Sequence, residues 1–124
     1  MGHFTGRIVI TPAGGNLWQV LKKFDYITDK GEIINIPVGF EFDGASIPKV
    51  GWIVVGHPLS QEYLAPSAIH DSLYRTQELS RKRSDHIFKE AMRDKGVDWW
   101  KRTMMWSAVR MFGWKPWDDY NKSS

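Results

Sequence analysis

The pattern of apolar residues changes halfway along this chain, and this change constrains the fold more than any other feature. Residues 1–48 alternate short β-prone runs with turn clusters, whereas residues 60–113 carry apolar residues at helical spacing. Strands followed by helices are typical of an α+β domain. We therefore predict a small N-terminal antiparallel sheet packed with a C-terminal cap of three helices, followed by a loose polar tail over residues 114–124.

Turn-forming residues delimit the strands of the first part. The segment TDKG (28–31) is typical of a hairpin turn whose glycine adopts positive φ. Pro37 lacks a backbone donor and therefore ends the strand before it. The predicted strands cover residues 7–10, 17–20, 24–27, 33–36 and 40–42.

Capping residues delimit the helices of the second part. Serine and aspartate favour the start of a helix, and glycine favours the position just after its end. The predicted helices run from about Ser60 to Thr76, from Ser80 or Ser84 to Gly96, and from Asp98 to Gly113.

The composition is that of one globular domain over residues 1–124. Hydrophobic residues make up 42% of the chain and aromatic residues 14%, enough for a dense core at this size. Cysteine is absent, so disulfides and thiolate metal sites are excluded. The sequence contains no run of about 18 apolar residues, so no transmembrane segment is expected. The N-terminus lacks the pattern of a signal peptide, and we expect synthesis in the cytoplasm.

The net charge of +3 comes mainly from RKR (81–83) and from the last predicted helix. Acidic residues are interspersed along the rest of the chain, so we interpret the basic run as a solvated helix start. Nucleic acid is therefore not expected as a partner.

The segment SAIHDSLYR (67–75) places His70 beside Asp71 on a predicted helix, with the apolar residues Ala68, Ile69 and Leu73 around them. Asp85 lies on the apolar face of the next predicted helix, where an unpaired carboxylate would be costly to bury. We expect His70 to be its partner, with Tyr74 nearby. A histidine fixed by a carboxylate can act as a general base, but the same pair can also hold the fold together by hydrogen bonds.

A second unusual stretch, GFEFDGASIP (39–48), carries Asp43 and Ser46. These side chains either line a cleft opposite His70 or form a turn that closes the sheet. Either His57 or His86 could complete a metal site with His70 and Asp71. Their spacing matches no known metal motif, so the metal and any cofactor stay undetermined.

Three motifs, VGFEFDGASIP, YLAPSAIHDSLYR and SDHIFKEAM, resemble in this order a family of tailed-phage and prophage proteins, domain of unknown function thirteen-fifty-three. Its members typically carry Thr where this chain has Phe42 and Arg where it has Lys49. The resemblance implies a phage source, synthesis in the host cytoplasm and a place in the virion. Partners would be other phage proteins or a host envelope component. It implies no activity.

His-Asp-x-x-Tyr on one helix, with an inward aspartate on the next, is also similar to the phospholipase A-two arrangement. This similarity implies that His70 activates water, Asp71 binds calcium and Asp85 orients the histidine, with Tyr74 in support. The glycine-rich calcium loop expected shortly before the histidine is not found in this sequence.

Two functions of different classes follow. In the first, the chain is a hydrolase whose His-Asp site cleaves an ester or amide of an envelope component. In the second, it is a non-catalytic virion, tail-associated or host-interacting binding protein with a structural His/Asp network. Solvent access to the imidazole of His70 distinguishes them, because an open cleft favours chemistry and a sealed pocket favours a structural role.

Overall fold

All described strands precede all described helices, which confirms the α+β class. The fold comes from a computed structural model, which describes residues 2–43, 47–48 and 61–123. The strands are β1 (His3–Phe4), β2 (Ile10–Pro12), β3 (Trp18–Val20), β4 (Phe24–Ile27), β5 (Ile33–Ile36) and β6 (Glu41–Phe42). The helices are α1 (Gln61–Thr76), α2 (Arg81–Asp94), α3 (Trp99–Phe112) and α4 (Trp114–Ser123).

The strands form two antiparallel sheets of three strands, where one sheet was predicted. One has the order β1-β4-β5 and the other β2-β3-β6. The chain changes sheets after β5, where Pro37 ends the ladder and Gly39 adopts a φ of 90°. This redirection brings β6 back to β3, with Trp18 opposite Phe42. The predicted strand 7–10 is displaced, because the paired segment begins only at Ile10.

The β4–β5 hairpin is confirmed. Gly31 adopts a φ of 88°, and its backbone N–H donates to the carbonyl of Thr28 at 2.9 Å. Both strands match the predicted ranges, and β5 ends one residue before Pro37.

The helix boundaries follow the predicted caps in part. Ser80, and not Ser84, caps α2, because its hydroxyl accepts from the backbone N–H of Arg83 at 3.1 Å. Asp98 precedes α3 but makes no side-chain capping bond. The Ser60 cap lies outside the described residues.

The prediction of a loose tail over residues 114–124 is wrong, because α4 occupies most of this segment. Gly113 has φ −72° and ψ −9°, which lies in the right-handed helical region. The chain therefore continues directly from α3 into α4. This helix packs on α1 through Trp117 and Tyr120.

Helix α1 is the centre of the molecule and is buried on every side from Tyr63 to Tyr74. On one side its apolar residues pack against both sheets, and the core there includes Val20, Phe24, Ile36, Phe42, Ala65, Ala68, Ile69 and Leu73. A second core of Phe88, Met92, Met105 and Val109 joins α2 to α3. A helix surrounded by protein cannot hydrate its polar groups, so those of α1 must find partners within the fold. None of the described helices is long and apolar enough to cross a membrane.

Candidate functional site

His70 and Tyr74 lie one turn apart on α1, so their side chains leave the helix on the same face. Their ring centroids are 4.2 Å apart. The ring centroid of Phe88, from α2, lies 4.7 Å from that of the imidazole. All three side chains are fully buried. The histidine is therefore enclosed between aromatic rings of two helices.

Asp85 opens the second turn of α2 and meets this pair directly. Its Oδ1 lies 2.8 Å from Nε2 of His70 and accepts from the hydroxyl of Tyr74 at 2.7 Å. The predicted contact between His70 and Asp85 is thus present in the structure.

Two arginines complete the bonding of the carboxylate. Arg110 of α3 donates from Nη1 to Oδ2 of Asp85 at 2.8 Å. Nη1 of Arg81 lies 3.6 Å from the same oxygen and donates to the carbonyl of Val109 at 3.1 Å, near the end of α3. We call His70, Tyr74, Arg81, Asp85 and Arg110 the His70 network; it joins α1, α2 and α3.

The charges in this network follow from burial and hydrogen bonding. Burial lowers the pKa of His70, and the nearby carboxylate offsets this only in part. Burial raises the pKa of Asp85, but hydrogen bonds from His70, Tyr74 and Arg110 outweigh it, and the net pKa is lowered. The pair therefore consists of a neutral imidazole and a carboxylate. Because the carboxylate accepts, the proton of the imidazole lies on Nε2.

Asp71 forms a separate polar cluster with Arg75 and Tyr120 on another side of α1. Its Oδ1 accepts from the hydroxyl of Tyr120 at 3.0 Å, and its Oδ2 lies 2.8 Å from Nη2 of Arg75 without hydrogen-bond alignment. Burial raises the pKa of Asp71 to about 6, even though Arg75 and Tyr120 act to lower it. The aspartate also raises the pKa of Tyr120, which burial and this contact bring to about 12.

None of the three residues predicted to be catalytic reaches solvent. The exposed fraction is 0% for His70, for Asp71 and for Asp85. The pocket is sealed, which is the outcome that favours a structural role.

The other predicted residues are dispersed. Asp43 is exposed, and its charge contributes to the raised pKa of Asp71. His86 packs against Trp106, with ring centroids 5.4 Å apart, and belongs to a different face of α2. Ser46 and His57 lie outside the described residues. Among the described residues, no three histidine, aspartate or glutamate side chains are grouped as a metal site.

Sequence reasoning missed Arg81, Arg110 and Tyr120. Arg81 could have been found, because it lies one turn before Asp85 on the same helix. Arg110 and Tyr120 reach the site only through the packing of α3 and α4, and no spacing in the sequence indicates this.

Comparison with known proteins places the chain in a family. Residues 18–109 match the family described as "Protein of unknown function (DUF1353)". The chain belongs to this family. The matched DUF1353 region contains the whole His70 network except Arg110, which is the next residue after it.

A relative of this DUF1353 protein is the "Uncharacterized protein y4jT" of Sinorhizobium fredii (strain NBRC 101917 / NGR234), which is 33% identical over 97 residues. The alignment covers 78% of this chain but only 29% of the relative. The chain therefore corresponds to less than a third of that protein. No solved structure matches the chain significantly.

Proposed function

We propose that this DUF1353 protein is a non-catalytic binding protein whose central helix is held in place by the His70 network. The observation that supports this most is the complete burial of His70 and Asp85. A general base must come within about 3 Å of the atom whose proton it removes. An imidazole with no exposed surface offers a substrate no such approach.

The bonding of Asp85 supports the same role. Its two oxygens accept from His70, Tyr74 and Arg110, which belong to α1 and α3, while the aspartate itself is on α2. Removing one member of such a network leaves a buried neighbour with one hydrogen bond unmade. The network therefore fixes how three helices pack.

The substitution His70→Ala tests the proposal, with His3→Ala as the control because His3 is an exposed histidine of β1. We expect His70→Ala to lower the free energy of unfolding by about 2–4 kcal/mol, because it opens a cavity and removes one hydrogen bond of the buried carboxylate, and His3→Ala to change it by less than about 0.5 kcal/mol. Urea denaturation followed by tryptophan fluorescence measures both values.

If His70→Ala does not fold at all, Tyr74→Phe keeps the ring and removes only the hydroxyl that bonds Asp85. We expect it to lose about 1–2 kcal/mol of stability. A His70→Ala protein that keeps its stability, but loses an ester or amide hydrolysis that the unaltered protein performs, would overturn the structural role.

A second candidate is the hydrolase, and the geometry of the dyad favours it. Nε2 of His70 lies 2.8 Å from the carboxylate of Asp85, which is how a histidine base is oriented in hydrolases. In the roles implied by the phospholipase A-two similarity, Asp71 would bind a calcium ion. Here its carboxylate is engaged by Arg75 and Tyr120 instead. Turnover of phospholipid or ester substrates that Asp85→Asn abolishes in a folded protein would establish this candidate.

The partners proposed from the resemblance to phage proteins are other phage proteins or a host envelope component, met after synthesis in the host cytoplasm or within the virion. The exposed aromatic side chains of Trp99 and Trp100, neighbours at the start of α3, support a contact surface there, since exposed apolar patches mark interaction sites. Mass spectrometry of purified particles from a strain that produces the protein tests the virion location.

A further inference from the structure

A groove of about 590 Å³ lies along α2, on a face that the His70 network does not use. It is bounded by the β4–β5 turn at one side and by the start of α3 at the other. Its lining contains six cations together with His86, Glu90 and Trp99. Grooves of this size hold ligands of the size of a nucleotide or a drug molecule.

Two of the lining cations are already neutralised within the fold. Arg83 forms ion pairs with Glu32 and Glu90, and Arg93 pairs with Asp29. The one acid of the lining, Glu90, is therefore engaged. These arginines maintain the shape of the groove and contribute little net charge to it.

The remaining cations are available to a ligand. No carboxylate among the described residues forms an ion pair with Lys30, Lys82, Lys89 or Arg102. Lys89 lies over the ring of Trp106, and Arg102 donates to the carbonyl of Val97. Four cations that line one groove without an ion-pair partner among the described residues favour an anion in it.

His86 lies among these cations and reports the same field. Burial lowers its pKa, and the charges of Lys82, Lys89, Arg83 and Arg110 lower it further. Its ring packs against Trp106 of α3. A bound anion would oppose these charges and raise the pKa of His86.

Trp99 adds an aromatic surface to the groove. It is the first residue of α3, and 67% of it is exposed although it lines the groove. Planar rings of nucleobases stack on such side chains. We propose that this groove binds a nucleotide-type ligand, with its phosphate on Lys82, Lys89 and Arg102 and its ring on Trp99.

The groove would give the proposed binding protein its ligand, and in that sense it extends the proposed function. None of its lining residues belongs to the His70 network. The two proposals can therefore fail separately, since ligand binding and the stability of His70→Ala are independent measurements.

Isothermal titration calorimetry of the full chain with adenosine monophosphate and with inorganic phosphate tests the inference. We expect Lys82→Ala and Lys89→Ala each to weaken the binding of both about tenfold, which is the effect of one charge-assisted hydrogen bond. Lys22→Ala is the control, because Lys22 is exposed and does not line the groove. Binding should also weaken as salt is added.

The aromatic part has its own matched pair of variants. Trp99→Ala should reduce the affinity for adenosine monophosphate to that for inorganic phosphate. Trp100→Ala is the control and should leave the affinity unchanged, because Trp100 is exposed but does not line the groove. In the NMR titration of His86, saturating phosphate should raise the imidazole pKa.

Three results would overturn the inference. The first is no binding of adenosine monophosphate, or binding that Lys22→Ala weakens as much as Lys82→Ala does. The second is binding to phosphatidylglycerol vesicles without binding to the nucleotide, which would assign the anion to a lipid surface. The third is binding to a single-stranded oligonucleotide alone, which would assign it to a polymer.

Discussion

At the scale of single residues, Asp71 shows how burial can outweigh an ion pair. The carboxylate has Arg75 and Tyr120 beside it, and both act to lower its pKa. Desolvation is the larger effect, and the pKa rises from 3.8 to about 6. The ionised form is thus tolerated in the fold but not favoured by it.

This has a consequence for stability as a function of pH. Between pH 4 and pH 6 the folded protein holds the proton of Asp71 more tightly than the unfolded chain does, so this residue's contribution to stability falls as the pH rises. A difference of about two between the two pKa values corresponds to about 3 kcal/mol. His70, with its lowered pKa, has the opposite effect, because stability is lost as the pH falls below its unfolded value.

The substitution Asp71→Asn separates these effects, because it leaves His70 in place. We expect the stability of the variant, relative to the unaltered protein, to increase by about 2 kcal/mol between pH 4 and pH 7, which is most of the full effect. Urea denaturation at several pH values in this range measures the difference. A difference that stays constant with pH would mean that Asp71 is not buried as described.

At the scale of secondary structure elements, Gly113 joins α3 to α4 for a steric reason. The sequence suggests only that this glycine ends a helix, but its φ of −72° suits any residue. A Cβ atom here would lie 2.5 Å from the hydroxyl of Tyr74 and 3.3 Å from Nη1 of Arg81, and would also meet the carbonyl of Val109. The glycine is needed because the His70 network passes directly beneath the helix junction.

We expect Gly113→Ala to lower the free energy of unfolding by about 2–3 kcal/mol, because the added methyl group displaces Tyr74 or Arg81. Gly6→Ala is the matched control, since a Cβ at Gly6 meets nothing within 4 Å. Thermal and urea denaturation of the two variants compare them. Equal stability of the two variants would contradict the close contacts that the structure gives a Cβ atom at Gly113.

At the scale of the whole molecule, α4 is a docked element and covers the polar side of α1. The ring of Trp117 lies edge-on to Tyr74, with centroids 5.1 Å apart, and its carbonyl accepts from Nε2 of Gln77 at 2.7 Å. Tyr120 bonds Asp71. The neighbouring helices thus exclude solvent from the polar side chains of α1, with α2 packed over His70 and α4 over Asp71.

Trp117→Ala tests this docking, and Trp114→Ala is the control because 55% of Trp114 is exposed. We expect the first substitution to cost about 2–3 kcal/mol of stability, somewhat less than for a fully buried tryptophan. The second should cost less than about 0.5 kcal/mol. If both variants lost equally little stability, α4 would not be docked on α1, and the prediction of a loose tail over residues 114–124 would be correct.

The sequence predicted the features that depend on local spacing. The order of strands and helices, the β4–β5 hairpin and the contact of His70 with Asp85 all follow from periodicity and turn chemistry, and the cap of α2 is one of the two serines that the sequence offered. It failed where partners are distant in the chain. The split into two sheets, the docking of α4 and the roles of Arg110 and Tyr120 depend on tertiary packing, which no local pattern encodes.

The most direct test of the structural role is the chemical reactivity of His70 in the folded protein. Diethyl pyrocarbonate modifies accessible neutral imidazoles, and mass spectrometry of peptides identifies the modified residue. We expect exposed His3 to be modified rapidly and His70 to stay unmodified until the protein unfolds. Modification of His70 in the native protein at a rate close to that of His3 would show an open site and contradict the sealed network.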